Sequence, residues 1–410
     1  MMLLKLGWRN LWRQKRRTLI TACAIALAVF LSLFMRSMQE GAYQSNIDNS
    51  ARFSTGLLQL QSPEFADSQS IEDLLPAKAD FIAPAKTLTE IEYLLPRIES
   101  FALAAAGDKS KGVMVIGAVP SLEDSYSGIG SKVVAGQLLS DNDDGVMVGQ
   151  GLADWLGVGL GDELVLYGQG YRGQTAAGLY IIKGIVKFPL PQLDKALVYL
   201  PLASAQQLYS TGEQVSAWVL HTANIEQVSR VKQQLEHVYA KQAVNVRDWM
   251  QMSPDMAQQI AMDKAGGVFM MYLLYGIVGF ALFATILMMT LERQREFAVM
   301  VATGMSRIKL LKLIAIESGL IAILGMMIGL MVAAPVIGYF YIHPIELTGD
   351  TAQMMLDMGW EPIVPMQVSA SLVLEQLLVA MVLMLLCLLY PLWRAYRLDV
   401  VAGLKGGAHG

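Results

Sequence analysis

The sequence is poor in several residue types, and each shortage excludes something. Of its 410 residues only two are cysteine, Cys23 and Cys387. Both sit in apolar runs, so no disulfide framework is expected. The four histidines, His221, His237, His343 and His409, are scattered without metal-ligand spacing. Charged residues make up 16%, against about 25% in an ordinary soluble domain, and the net charge is −4. These totals exclude a disordered chain and a nucleic-acid binder with a strong basic field. Catalytic signatures are missing as well. No G-x-x-x-x-G-K-[ST] occurs, and Gly107-Asp108-Lys109-Ser110 lacks the upstream glycine of a phosphate loop. No G-x-S-x-G, H-E-x-x-H or C-x-x-C appears. Asp141, Asp143 and Asp144 cluster beside Gly145 without the later acidic ligand of a calcium loop, which reads as a solvated turn. The chain is therefore expected to be a non-catalytic subunit that binds no cofactor or metal and no nucleic acid.

What the sequence has is apolar runs, within a total of 54% hydrophobic residues. A bilayer core needs about 20 apolar residues as helix. Four segments meet this: 18–38, 268–291, 313–342 and 372–393. The third is interrupted by Glu317 and Pro335, and the fourth carries Glu375 near its start. The first follows Lys5, Arg9, Arg13, Lys15, Arg16 and Arg17, as a secretion signal would, but no small-x-small cleavage site comes after it. It is expected to be an uncleaved signal anchor.

Lys and Arg near the spans set the orientation. The 292–312 loop carries Arg293, Arg295, Arg307, Lys309 and Lys312, and the tail 394–410 carries Arg394, Arg397 and Lys405. The 343–371 loop has neither residue, only Glu346, Asp350, Asp357 and Glu361. Both termini and the 292–312 loop are thus expected in the cytoplasm, and the 39–267 segment on the other side.

That long segment patterns as a folded domain. Leu58-Gln59-Leu60-Gln61 alternates like a strand. Val113–Val119, Val146–Val148, Leu164–Tyr167, Tyr180–Phe188, Ala196–Leu200 and Trp218–Leu220 read as strands between Gly, Pro and Asp punctuation. Gln150–Leu156, Leu202–Tyr209, Ile225–Tyr239 and Pro254–Ala265 read as helices. Residues 160–200 are expected to form an inserted strand-rich subdomain. Its loop with Gln169, Tyr171 and Arg172 reads as an exposed hairpin tip and a candidate partner contact. The expected fold class is an α-helical membrane protein with four transmembrane helices and a large mixed α+β periplasmic domain between helices 1 and 2. The last helix of that domain is expected to run into the second span, a stiff connection able to pass motion across the membrane.

The 292–312 loop carries the most informative stretch. Phe297, Met300 and Val301 share one face of a short helix, and Glu292 and Arg295 can pair on the other. Gly304 can end it in the left-handed conformation, and Ser306 can cap the next helix. Such a helix either merely joins two spans or docks a cytoplasmic partner.

At these residues the sequence resembles the FtsX-like permease family, the membrane subunits of MacB-type ABC transporters. Glu292, Arg293, Glu296, Phe297, Ala298, Ala302 and Gly304 fit its loop pattern. Glu317 followed by Gly325 and Gly329 resembles its third span, and Tyr390-Pro391-Leu392-Trp393-Arg394-Ala395 with Leu398-Asp399-Val400 its fourth-span exit. Val148-Gly149-Gln150-Gly151-Leu152-Ala153 and Val198-Tyr199-Leu200-Pro201-Leu202 resemble motifs of its outer domain. The plan is most similar to that of the lipoprotein-releasing permeases of the LolC/LolE type.

The resemblance implies two copies of a separate cytoplasmic ABC ATPase, which holds the ATP and Mg, and a second permease chain, identical or related. A periplasmic carrier, adaptor or lipoprotein and membrane lipid complete the implied partners. It also implies an inner-membrane location, and ATPase coupling through Glu292, Arg293, Arg295, Glu296, Phe297, Ala298, Met300, Val301, Gly304 and Met305. The implied work is extraction of lipoproteins or other lipid-anchored cargo. The alternatives are MacB-like export of peptides or drugs through an outer-membrane duct and FtsX-like activation of a cell-wall hydrolase. Glu317 either snorkels, pairs with Lys312 or Lys309, or packs against the coupling region, and Gly325-x-x-x-Gly329 suits a close helix contact. Leu33, Met35, Phe269 and Leu273 are candidate contacts for lipid or acylated cargo.

Overall fold

The computed structural model describes residues 2–13, 15–357, 362–398 and 400. Glu361, Asp399, Lys405 and the end of the expected tail lie outside them. The chain divides into two compact units.

The first unit is helical and comprises the described parts of Met1–Ala42, Ile260–Ile345 and Val364–Gly410. Its helices are α1 (Met2–Arg13), α2 (Lys15–Ser50), α3 (Pro254–Glu292), α4 (Gln294–Ala302), α5 (Arg307–Ile342) and α6 (Ala370–Tyr396). α2, α3, α5 and α6 are long and apolar enough to cross a membrane. Long runs of Leu, Ala, Ile and Met favour helix, which satisfies every backbone polar group within the segment. Pro335 and Pro391 lie inside α5 and α6 without ending them.

The core of this unit joins Ile25, Val29 and Leu33 of α2 to Leu282 and Ile286 of α3. Ile321, Ala322 and Met326 of α5 and Met384, Cys387 and Leu388 of α6 complete it. Gly325 and Gly329 bring α5 against α2. A Cβ at Gly325 would stand 2.8 Å from the Ala22 carbonyl oxygen and 2.7 Å from Ile25 Cβ, and one at Gly329 2.8 Å from the Ala26 carbonyl oxygen. Only glycine permits that approach. Leu33 continues the inward stripe, one helical turn from Val29, and is 1% exposed. It cannot contact lipid or cargo, which corrects that expectation. Met35 is half-buried, whereas Phe269 and Leu273 are exposed. One polar cluster crosses the core: Tyr275 Oη lies 2.9 Å from both Ser32 Oγ and Gln376 Oε1.

The second unit comprises Tyr43–Gln259 and the described part of Glu346–Ile363. Its strands are β1 (Leu58–Gln61), β2 (Leu75–Pro76), β3 (Ile91–Ala106), β4 (Lys109–Ala118), β5 (Val133–Gly136) and β6 (Val146–Gly149), then β7 (Glu163–Gln169), β8 (Thr175–Val186), β9 (Leu197–Pro201), β10 (Gln214–Val215), β11 (Ala217–Thr222) and β12 (Asn245–Asp248). Ten of them form one mixed sheet in the order β12-β1-β11-β3-β4-β9-β6-β8-β5, with β7 beside β3 and β8. Strand β3 is the spine. Its first part, to Arg97, pairs with β11, and its second part, from Ile98, with β4. Helices Gln150–Leu156 and Leu202–Tyr209 fall where the sequence placed them.

The expected subdomain at 160–200 does not stand apart. β7 pairs with β3, β8 with β5 and β6, and β9 with β4, so these strands are built into the main sheet. Strand type was legible from local pattern, but the pairing partners lie dozens of residues away. The β7–β8 hairpin closes through a turn at Tyr171–Gly173, with Arg172 in the left-handed region at φ +56° and exposed. Gln169 is also exposed, Tyr171 is half-buried, and Gly173 N–H donates to Glu72 Oε1 at 3.1 Å.

Candidate functional site

Helix α4 is short because its ends are fixed by local chemistry. Gly304, at φ +102°, takes the conformation that stops a helix, and Ser306 occupies the cap position of α5 without a side-chain cap bond. Between them α4 presents two unlike faces. Phe297 and Ala298 are buried, and Phe297 packs with Leu310 and Ile314 of α5 and Ala395 of α6. Met300, Val301 and Met305 are partly buried against the same cluster. The opposite side, with Arg295, Val299, Ala302, Thr303 and Gly304, is exposed. The ten residues singled out by sequence therefore split into an inner packing set and an outer set free to meet a partner.

A charged network clamps the inner face. Arg293 is buried, forms an ion pair with Glu317 of α5, donates from Nε to Glu296 Oε2 at 3.0 Å, and lies 5.1 Å from the Phe297 ring centre. Glu317 also accepts from Asn10 Nδ2 of α1 at 2.5 Å. Arg13 of α1 pairs with Glu296, and Arg17 of α2 with Glu292 at the end of α3. Burial works against the charged form of Glu296, but the hydrogen bonds from Arg293 and Arg13 outweigh it and hold its carboxyl below the usual carboxylate range. Burial likewise opposes the Arg293 charge, yet Glu317 and Glu296 raise its pKa further. The guanidinium is a planar fork, always charged, and can serve both carboxylates at once.

Two pairings follow from how the helices meet. Glu317 meets Arg293 and Asn10 rather than Lys309 or Lys312, because α5 turns those lysines outward while Glu317 faces the α1–α4 junction. Glu292 pairs with Arg17 rather than Arg295, because α3 ends at Glu292 and the change of axis into α4 breaks the helical spacing. Sequence reasoning missed Asn10, Arg13 and Arg17 as members of this site. Arg13 and Arg17 entered the sequence reading only as basic residues ahead of the first span, and Asn10 carried no signal of its own. Between α1 and α4 lies an open cleft of about 800 Å³ lined by Arg9, Asn10, Arg13, Arg295, Glu296 and Val299, among others. Among the described residues no group of three or more His, Cys, Asp or Glu is placed to hold a metal ion.

The family described as MacB-like periplasmic core domain matches residues 18–238, more than half of the chain. The FtsX-like permease C-terminal family matches 268–400, which includes α4 and most of the helical unit. The lipoprotein-releasing system transmembrane protein LolC of Xylella fastidiosa is 24% identical over 336 residues, 79% of this chain and 80% of that protein. LolE of Haemophilus influenzae is 25% identical over 322 residues, 76% of each chain. Among solved structures, the periplasmic region of MacB from Actinobacillus actinomycetemcomitans aligns with 52% of this chain and 98% of its own, at 13% identity and a TM-score of 0.34. Four apolar helices and the two family matches make the protein a multi-pass inner-membrane permease subunit, and the chain belongs to the FtsX-like, MacB-type family of ABC-transporter permeases.

Proposed function

We propose that this chain couples ATP hydrolysis by a separate cytoplasmic ATPase to motion of its periplasmic domain, and that the work done is release of lipoproteins or other lipid-anchored cargo from the inner membrane. The observation that supports it is the two-faced α4. Its inner face is clamped by Arg293, Glu317, Asn10 and Phe297, while Arg295, Val299, Ala302 and Thr303 are left exposed. A partner that pushes on the outer face moves α5 and α1 with it, because buried ion pairs and packed side chains do not yield continuously. In this reading the basic N-terminus and 292–312 loop lie in the cytoplasm, and α3, one helix from Pro254 to Glu292, carries the movement to the other side.

The names of the LolC and LolE relatives support the cargo class. Exposed Phe269 and Leu273, with Met35, would meet acyl chains. No hydrophilic path through the spans is needed, since the cargo stays on one leaflet. The test is reconstitution with the ATPase and a second permease chain in liposomes holding a lipoprotein. Val299→Asp on the outer face is expected to abolish cargo release and cargo-stimulated ATP hydrolysis with the fold intact. Wild-type coupling in that variant would refute the α4 assignment. Release of a soluble peptide but no lipoprotein by the wild type would favour MacB-like export instead.

A further inference from the structure

A second cavity, of about 260 Å³, lies wholly within the sheet unit. Its polar side is a stripe on one face of the sheet. Gln59 and Gln61 alternate on β1, Arg247 stands opposite Gln59 on β12, and Arg97 and Glu99 alternate on β3. These positions are buried or half-buried, where a sheet face normally carries apolar residues.

The donors of Arg97 and Gln59, at the buried centre of the stripe, are engaged. The Arg97 guanidinium bonds Glu123 at 3.1 and 2.5 Å and the Ser54 carbonyl. Gln59 Nε2 donates to the Thr55 carbonyl at 2.6 Å and Glu99 Oε1 at 3.0 Å. Gln61 Nε2 donates to Gln59 Oε1 at 2.5 Å, and Arg247 donates to the Gln251 carbonyl. One buried acceptor is not spent. Gln61 is 4% exposed and its Oε1 has no partner. The Glu99 carboxylate carries the one hydrogen bond from Gln59 and an ion pair with Arg97 Nη1 at 3.9 Å, which leaves it room for a further donor. A native fold rarely leaves such a buried acceptor unsatisfied without a use for it. Phe65, Met114 and Met252 supply apolar wall beside the acceptors.

We propose that this cavity binds a primary ammonium group on an apolar stem, as carried by an alkyl diamine or by the lysine side chain of a peptide. The ammonium brings three donors and a charge to the Glu99 carboxylate and Gln61 Oε1, and its methylenes lie on the apolar wall. Burial pushes the empty-site Glu99 carboxyl up to about 7, against the pull of Arg97 and the hydrogen bond from Gln59. Glu123 faces it from helix Pro120–Ser127 and Arg247 from β12. A bound cation favours the ionised carboxylate, so binding strengthens from pH 6 to pH 8.

The test is calorimetric titration of the full chain in lipid nanodiscs with 1,5-diaminopentane and with an acetyl-Ala-Lys-Ala-amide peptide, against pentane-1,5-diol. Saturable binding of either amine, absent for the diol and at least about tenfold weaker in Glu99→Gln, is expected. Tighter binding of the peptide identifies a peptide ligand, and equal binding a small amine. Met252→Trp, which fills the cavity without touching a buried charge, is expected to abolish binding and covers the case in which Glu99→Gln fails to fold. Binding of the diol as tight as the diamine, unchanged affinity in the folded variants, or no saturation by either amine overturns the proposal.

Discussion

Replacing Glu317 with Leu leaves Arg293 at 7% exposure without its buried carboxylate. Removing one partner of a buried ion pair costs about 3–5 kcal/mol, whereas replacing both with apolar residues of similar volume is often close to neutral. Here Arg293 keeps Glu296 at 3.0 Å and the face of Phe297, which places the single variant near the lower figure, about 3 kcal/mol. The double variant Arg293→Met, Glu317→Leu strands no guanidinium in the protein interior. It should recover most of the loss and show a coupling energy of about 2 kcal/mol or more in a double-mutant cycle. The stability assay is denaturant unfolding in detergent micelles for the wild type, both single variants and the double. ATPase stimulation of the reconstituted complex, measured in parallel, is expected to fall in all three, because α4 loses its tie to α5 even where stability returns. Additive destabilisation by the two single changes would refute the clamp.

Gly325→Ala is expected to destabilise the chain by about 1–3 kcal/mol through overpacking against Ala22 and Ile25, whereas Gly276→Ala, where an added Cβ meets nothing within 4 Å, should be neutral or slightly stabilising on the same unfolding assay. Burial raises the Glu99 carboxyl from 4.5 to about 7, so the folded state holds its proton more tightly. The corresponding stability, on the order of 3 kcal/mol, is present below pH 4.5 and lost as pH rises towards 7, and Glu99→Gln should abolish that loss in pH-dependent melting curves. Burial lowers the His221 pKa from 6.5 to about 4 despite Asp48, so its contribution runs the other way: it is present above pH 6.5 and lost on acidification towards 4, and His221→Gln should flatten that limb. Photo-crosslinkers at Phe269 or Leu273 should capture acylated cargo in the reconstituted system while one at Leu33 should not, since only Leu33 is packed inside the helical unit; equal capture from all three positions would contradict the packing of α2 against α5.

Much of this protein was determined by its sequence alone. Four apolar runs demand helices, because a backbone in lipid has no other way to satisfy its polar groups. The family was legible from Glu292–Gly304 and from the order of the outer motifs, and both family matches agree with it. Helices Gln150–Leu156 and Leu202–Tyr209 were legible because their caps and periodicity are local. Tertiary structure decided everything that depends on distant partners. No spacing in the sequence says that Glu317 reaches Arg293 and Asn10 instead of the nearer lysines, since that follows from the angle between α1, α4 and α5. Nothing local says that Leu33 faces inward, or that β7–β9 join the main sheet, because a strand records its own alternation and not its neighbours. Gln59 and Gln61 read as the polar half of an ordinary strand. Only the fold, which buries both faces of β1, turns them into the lining of a cavity with an acceptor to spare.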